Sequence, residues 1–240
     1  MILVLCYAKI NIGFVEGKNM IGYWNYTVLL TYISVILACV GIGCAAVGTG
    51  YNIDVAVGCL LTCGLLDMFD GKVARTKKDR TEMMKDFGIQ IDSLSDVIAF
   101  GILPAMIGFA LVRRADATWY QQWYFWVYVV ILLTYVLFGL VRLGYFNALE
   151  NDRIKSGDTG VLHYYTGLPI TMASLIFPAF WILSRVPGFV WIYLGVVAVV
   201  GMLFVLRIKI PKPHSKKMAI FLSLFGLCLL IAMILVAIFA

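Results

Sequence analysis

From Tyr26 to Ala240 the chain repeats one pattern, a long apolar run followed by a short polar connection. The runs cover about Tyr26 to Val47, Ile53 to Phe69, Ile89 to Val112, Trp123 to Phe146, Tyr165 to Leu183, Phe189 to Leu206 and Met218 to Ala240. Each approaches the roughly 20 residues that an α-helix needs to cross the hydrocarbon core of a bilayer. The pattern therefore predicts an all-α, polytopic transmembrane helical bundle of about seven spans. Seven spans leave little room for a soluble domain, so residues 21–240 are read as a single transmembrane domain. The opening MILVLCYAKI has a short apolar patch with no basic segment before it and no small-residue cleavage site after it. Residues 1–20 are accordingly read as an interfacial segment rather than a signal peptide.

Composition agrees with this reading. The chain is 62% hydrophobic and 13% charged, with a mean hydropathy of +0.95, far outside the usage of a soluble domain. Its cysteines, Cys6, Cys39, Cys44, Cys59, Cys63 and Cys228, fall nearly all inside predicted spans, where Cys acts as a small hydrophobe rather than as part of a disulfide framework or metal site. Charge placement sets an orientation. With the N-terminus in the cytoplasm, only Arg113, Arg114 and Arg185 of the 19 Lys and Arg lie outside, leaving 16 inside, as the positive-inside rule requires. The connection from Asp70 to Gly88, the loop from Asn147 to Gly160 and the segment RIKIPKPHSKK then share the cytoplasmic side. The net charge of +6 becomes a skirt facing anionic headgroups. Because these charges are spread over interhelical loops rather than along one groove, no nucleic-acid partner is expected.

One stretch stands against the apolar background: LLDMFDGKVARTKKDRTEMMKDFGIQIDSLSDVIAFG, Leu65 to Gly101. Asp67 and Asp70 are three residues apart and share a helix face, which Gly71, Ala74 and Arg75 continue. Gly88, Asp92 and Asp96 recur at four-residue steps, about 6 Å of helical rise each. Two helix faces, each with two carboxylates and a glycine, thus begin at opposite ends of one connection. Four carboxylates at membrane depth need positive charge among them, and Arg75 alone does not balance four. Hard divalent cations bound by oxygen ligands, with a substrate phosphate as a further ligand, fit the count and the geometry. The glycines would let a phosphate or planar base approach the backbone. A salt-bridged helix pair with glycines for close packing is the alternative. A cation transporter would instead spread acids toward the bilayer centre on several spans; here they cluster at one end of two.

DMFDGKVAR followed by GIQIDSLSD resembles the signature of the CDP-alcohol phosphotransferase family, D-x-x-D-G-x-x-A-R then G-x-x-x-D-x-x-x-D. All eight signature positions are present, with 12 residues between Arg75 and Gly88, about four more than is usual. The extra residues are polar and are expected to form a lengthened cytoplasmic loop. The resemblance implies a six-helix core plus a C-terminal helix, a homodimer, and transfer of a phosphoalcohol from a CDP-linked donor to an acceptor hydroxyl with release of CMP. It also implies two divalent cations, Mg²⁺ or Mn²⁺, on Asp67, Asp70 and Asp92 with Asp96 as a possible shared ligand. Gly71, Ala74, Arg75 and Gly88 would accommodate the CDP part. DSLSDVIAFGILPA, VRLGYFN and GLPITMA are similar to segments of the phosphatidylserine synthase branch, with Ser95, Gly144 and Tyr145 as departures. That likeness implies CDP-diacylglycerol and L-serine as substrates at the cytoplasmic face of the cell membrane. Another acceptor, such as glycerol phosphate or inositol phosphate, is the alternative within the same chemistry.

A serine hydroxyl needs a base for attack on phosphorus, and Asp96, one turn beyond Asp92 on the same face, is the candidate. Arg142, at the cytoplasmic end of the fourth run, either snorkels to the interface or grips the acceptor's carboxylate with its planar fork. Asn147 could share that task or, as the position favours, cap the helix. His163 and His214 have no partner acid nearby and are read as polar interface and tail residues. The basic tail segment would attract anionic lipid. Trp119, Tyr120, Trp123, Tyr124 and Trp126 form an outer interfacial belt.

Overall fold

A computed structural model describes residues 22–77, 79–116, 118–156, 164–183, 190–211, 224–233 and 235. The expected interfacial segment 1–20, Cys6, Arg185, His163 and His214 lie outside these residues. The helices are α1 (Leu29–Val47), α2 (Gly50–Ala74), α3 (Glu82–Asp96), α4 (Leu103–Ala115), α5 (Tyr124–Ser156), α6 (Ala173–Leu183) and α7 (Val190–Val205), with α8 at Leu224–Met233. α3 and α4 are one continuous rod of 34 residues, joined by a π-helical turn at Val97–Ile102. Four of the helical segments, Leu29–Val47, Gly50–Ala74, Glu82–Ala115 and Tyr124–Arg153, are long and apolar enough to cross a bilayer. The chain is a multi-pass membrane protein of all-α architecture.

The helices are sorted by what they face, protein or lipid, rather than by oil and water. On α5, Tyr128, Leu132, Tyr135 and Leu143 are buried while Trp126, Val130, Leu133 and Leu137 are exposed. Both stripes are apolar at helical spacing, and the outer one is of a kind that only lipid can cover. The buried stripe packs with Phe100 and Leu103 of the rod, Phe177 and Trp181 of α6, and Tyr193 and Val197 of α7 in one core.

Local chemistry fixes the turns. α1 ends at Gly48 in the left-handed region (φ +74°), whose N–H donates to Cys44 O, the usual glycine stop. Thr49 starts α2 and Thr81 starts α3, each hydroxyl accepting from a backbone N–H three residues on. Just after the π turn, Pro104 lacks the N–H that the carbonyl of Phe100 would use in an α-helix, so that carbonyl takes another donor. Tyr135 Oη donates to that carbonyl at 2.5 Å, and Tyr193 Oη donates to the carbonyl of Pro104 at 3.1 Å. Both buried tyrosines thus tie α5 and α7 to the rod.

Three expectations are adjusted. The polar stretch after Arg75 is loop only as far as Thr81, because Glu82 to Phe87 extend α3 by more than a turn ahead of Gly88. α5 does not end near Phe146 but continues to Ser156, so most of the expected Asn147 loop is helix and Asn147 is no cap. Tyr165 is not helical either. Tyr164–Thr166 (β1) pairs antiparallel with Lys209–Pro211 (β2), Tyr165 opposite Ile210, and the helical path resumes only at Ile170. Gly167, at φ +81°, turns the chain here, donating its N–H to Ile208 O at 2.8 Å.

Candidate active site

The site is built between the C-terminal part of α2 and α3. Asp67 and Asp70 project from the last two turns of α2, and Asp92 from one turn before the end of α3. One carboxylate oxygen from each lies within 4.8 Å of the others, and all three residues are partly buried. Among the described residues no ion pair joins a Lys or Arg to any of them. An oxygen-only, triply acidic cluster with no ion-paired Lys or Arg among the described residues has the donor chemistry that hard divalent cations take.

Asp70 and Asp92 also line a cavity of about 230 Å³. Gly71, Ala74, Arg75 and Gly88 line the same cavity, joined by Thr27, Val28 and Thr31 at the start of α1 and by Arg80, Lys85 and Ile89. The sequence motif is therefore gathered in space: the residues expected to receive a nucleotide form a wall continuous with two of the acids. Gly71 lies beside the Arg75 guanidinium and Gly88 beside that of Arg80, with a Cβ on Gly88 placed 2.9 Å from Arg80 Nη2.

Asp96 is not a member of the three-carboxylate group. It sits one turn deeper, only 8% exposed, within electrostatic range of Asp67, Asp70, Asp92 and Arg142. Arg142, likewise 8% exposed, is buried rather than extended to water, its guanidinium 4.8 Å from the centre of the Phe146 ring. It lines a second cavity, of about 180 Å³, with Tyr145, Phe146, Phe204 and Arg207 among its neighbours. The acids and Arg142 thus belong to separate cavities, and Asp96 is within electrostatic range of both.

Sequence reasoning missed two contributors. Ser93, beside Asp92, exchanges hydrogen bonds with Asn147, whose Nδ2 donates to Ser93 Oγ at 2.9 Å, fastening α3 to α5. Arg80 turns back from the connection into the first cavity. Nothing in residue spacing signals either, since both depend on how two distant segments meet.

Comparison with known proteins agrees with the geometry. The profile described as CDP-alcohol phosphatidyltransferase matches residues 24–200. Similar proteins include the CDP-diacylglycerol–serine O-phosphatidyltransferase of Helicobacter pylori (strain J99), 28% identical over 207 residues, covering 84% of this chain and 77% of that protein. The protein of the same name from Bacillus subtilis (strain 168) is 29% identical over 169 residues, 70% of this chain and 80% of the relative. The Saccharomyces cerevisiae protein of that name is 36% identical over 104 residues, and the match spans only 33% of its length. The profile match covers the helices that carry every aspartate of the cluster, and the chain belongs to the CDP-alcohol phosphatidyltransferase family.

Proposed function

We propose that the protein transfers the phosphatidyl group of CDP-diacylglycerol to the hydroxyl of L-serine, giving phosphatidylserine and CMP. The observation that carries this reading is the convergence of Asp67, Asp70 and Asp92 within 4.8 Å beside a cavity walled by Gly71, Ala74, Arg75 and Gly88. The names of the relatives support serine as the acceptor.

Asp67, Asp70 and Asp92 would hold two divalent cations, Mg²⁺ or Mn²⁺, and the family resemblance adds Asp96, outside the 4.8 Å group, only as a possible shared ligand. Bound there, the ions would supply Lewis-acid polarisation of the donor's phosphate oxygens. The rest of the work falls to the chain. The small residues Gly71, Ala74 and Gly88 leave room for cytidine, and Arg75 faces its phosphates. Asp96 takes the proton of the serine hydroxyl as its oxygen bonds to the β-phosphorus. The bond from that phosphorus to the bridging oxygen breaks, and the oxygen leaves with CMP. Arg142 holds the serine carboxylate through its fork. The cluster's place at one end of α2 and α3, with the excess of Lys and Arg in the same connections, supports a site on the cytoplasmic face of the cell membrane. The family resemblance supports a homodimer, which chemical crosslinking in native membranes would display as a band of twice the mass.

Release of CMP from CDP-diacylglycerol, measured against serine, glycerol 3-phosphate and inositol phosphate, tests the reading. Serine is expected to support turnover, chelator to abolish it and Mg²⁺ or Mn²⁺ to restore it. Asp67→Asn, Asp70→Asn and Asp92→Asn should each be inactive. Turnover with another acceptor alone would retain the chemistry and replace the substrate, whereas full activity in chelator would remove the metal assignment.

A further inference from the structure

We infer that Arg80 is an additional donor-binding residue, whose guanidinium grips the diphosphate linking cytidine to the lipid; this rests on the reading of the chain as a CDP-lipid-dependent transferase. Arg80 belongs to the connection between α2 and α3, outside the motif, yet its side chain lines the cavity that holds Asp70, Asp92 and the small motif residues. Its Nη1 donates to Ala74 O at 3.4 Å and its Nη2 to Met84 O at 3.3 Å. Both bonds are long. Its Nε is buried with no hydrogen-bond partner among the described residues. Although Asp70 and Asp92 share the cavity, neither forms an ion pair with Arg80. The guanidinium therefore lines the cavity, held loosely by two carbonyls and in no ion pair among the described residues.

The position suits a phosphate. Gly88 presents a bare backbone directly beneath Nη2, close enough that a Cβ would stand 2.9 Å away. Arg75 lines the same cavity, its nearest nitrogen 3.9 Å from a Cβ built on Gly71. Two guanidinium groups, each near a motif glycine, thus share one cavity with the carboxylates of Asp70 and Asp92. An anion with oxygens on two adjacent phosphorus atoms could meet both forks there and any cations that the carboxylates hold. Arginine matches phosphate oxygens with paired donors, which a lysine ammonium does not. The contacts to Ala74 and Met84 bridge the end of α2 and the first turn of α3, so the side chain that would bind the donor also folds the connection over it.

The test compares two nucleotides that differ by one phosphate. Full-length protein in lipid nanodiscs with Mg²⁺ is titrated with CDP and with CMP by calorimetry, for the wild type, Arg80→Ala and Arg80→Gln. The glutamine amide can still reach one of the two carbonyls, so Arg80→Gln should keep the wild-type thermal midpoint even where alanine loosens the connection. For Arg80→Gln, Kd for CDP should rise about tenfold or more, the scale of a lost charge-assisted hydrogen bond, while Kd for CMP changes by less than about threefold. Unchanged CDP binding, or equal weakening of CDP and CMP, would overturn the assignment and leave Arg80 as a staple of the connection. A wild-type protein that binds neither nucleotide would instead remove the donor reading itself.

Discussion

Asp96 differs from the other three aspartates by one helical turn and by depth, and both differences bear on its task. A group that only ligates a cation belongs with the cluster, and Asp96 is outside it. A group that takes a proton from the acceptor has to be near both the phosphate site and the acceptor, and Asp96 lies within electrostatic range of the acids and of Arg142. Asp96→Asn should therefore lower kcat by about two orders of magnitude or more, as loss of a general base does, while CDP binding in Mg²⁺ stays close to wild type; loss of that binding would reassign Asp96 as a ligand. Arg142→Lys keeps the charge and loses the fork, so steady-state kinetics should show a raised KM for serine with KM for the CDP-lipid unchanged. Equal KM values for serine would leave Arg142 a structural cation stacked on Phe146. The motif residues were legible because offsets of three and four put them on common helix faces whatever the rest of the chain does. Arg80 was not, since its return into the cavity depends on the path of a connection that has no periodicity.

Between elements, the rod of α3 and α4 carries both the chemistry and the core, and two contacts with α5 hold it in phase. Near the site, Asn147 and Ser93 fasten α3 to α5. A single neutral hydrogen bond contributes about 1 kcal/mol, so Asn147→Ala should lower the thermal midpoint slightly. Its larger effect should be on kcat, by tilting the helix that positions Asp92 and Asp96, and pairing with Ser93→Ala should add little further loss in a double-mutant cycle. Deeper in the membrane, Tyr135→Phe strands the carbonyl of Phe100 where no water can replace the hydroxyl. That should cost about 1–3 kcal/mol in a denaturation measured in detergent, up to about three times the effect of Asn147→Ala. Apolar run lengths gave the helices well, because a bilayer imposes one length scale on all of them. They misjudged the ends: the additional turns of α3 and α5 are polar, and nothing in hydropathy separates a polar helix from a polar loop. The mid-span Pro104 was the visible sign of an irregular turn, but which tyrosine would answer it was not.

Across the whole molecule, charge and clefts are polarised together. Among the described residues, the acids share their cavity with Arg75, Arg80 and Lys85 near the α2–α3 connection, while Arg113 and Arg114 lie in the last turn of the rod. Single cysteines introduced at Glu150 and at Gln122, both exposed, should be labelled from opposite sides of sealed vesicles by a membrane-impermeant thiol reagent; labelling from one side would overturn the orientation. At the far end Arg113 Nη2 donates to Ala46 O at 2.8 Å and Val47 O at 2.6 Å, clasping the last carbonyls of α1. The long rod is thus anchored at two points, by Arg113 at one end and by Asn147 through Ser93 in its first half. A shaft fixed at two points admits only certain residue counts between them, and a π turn is an α-helix carrying one surplus residue. The turn at Val97–Ile102 is in that sense an expansion joint. Removing a single residue there, such as Ile98, should convert the turn to regular helix and leave a folded protein, whereas the same deletion at Leu60 in α2 would rotate Asp67 and Asp70 out of register with Asp92.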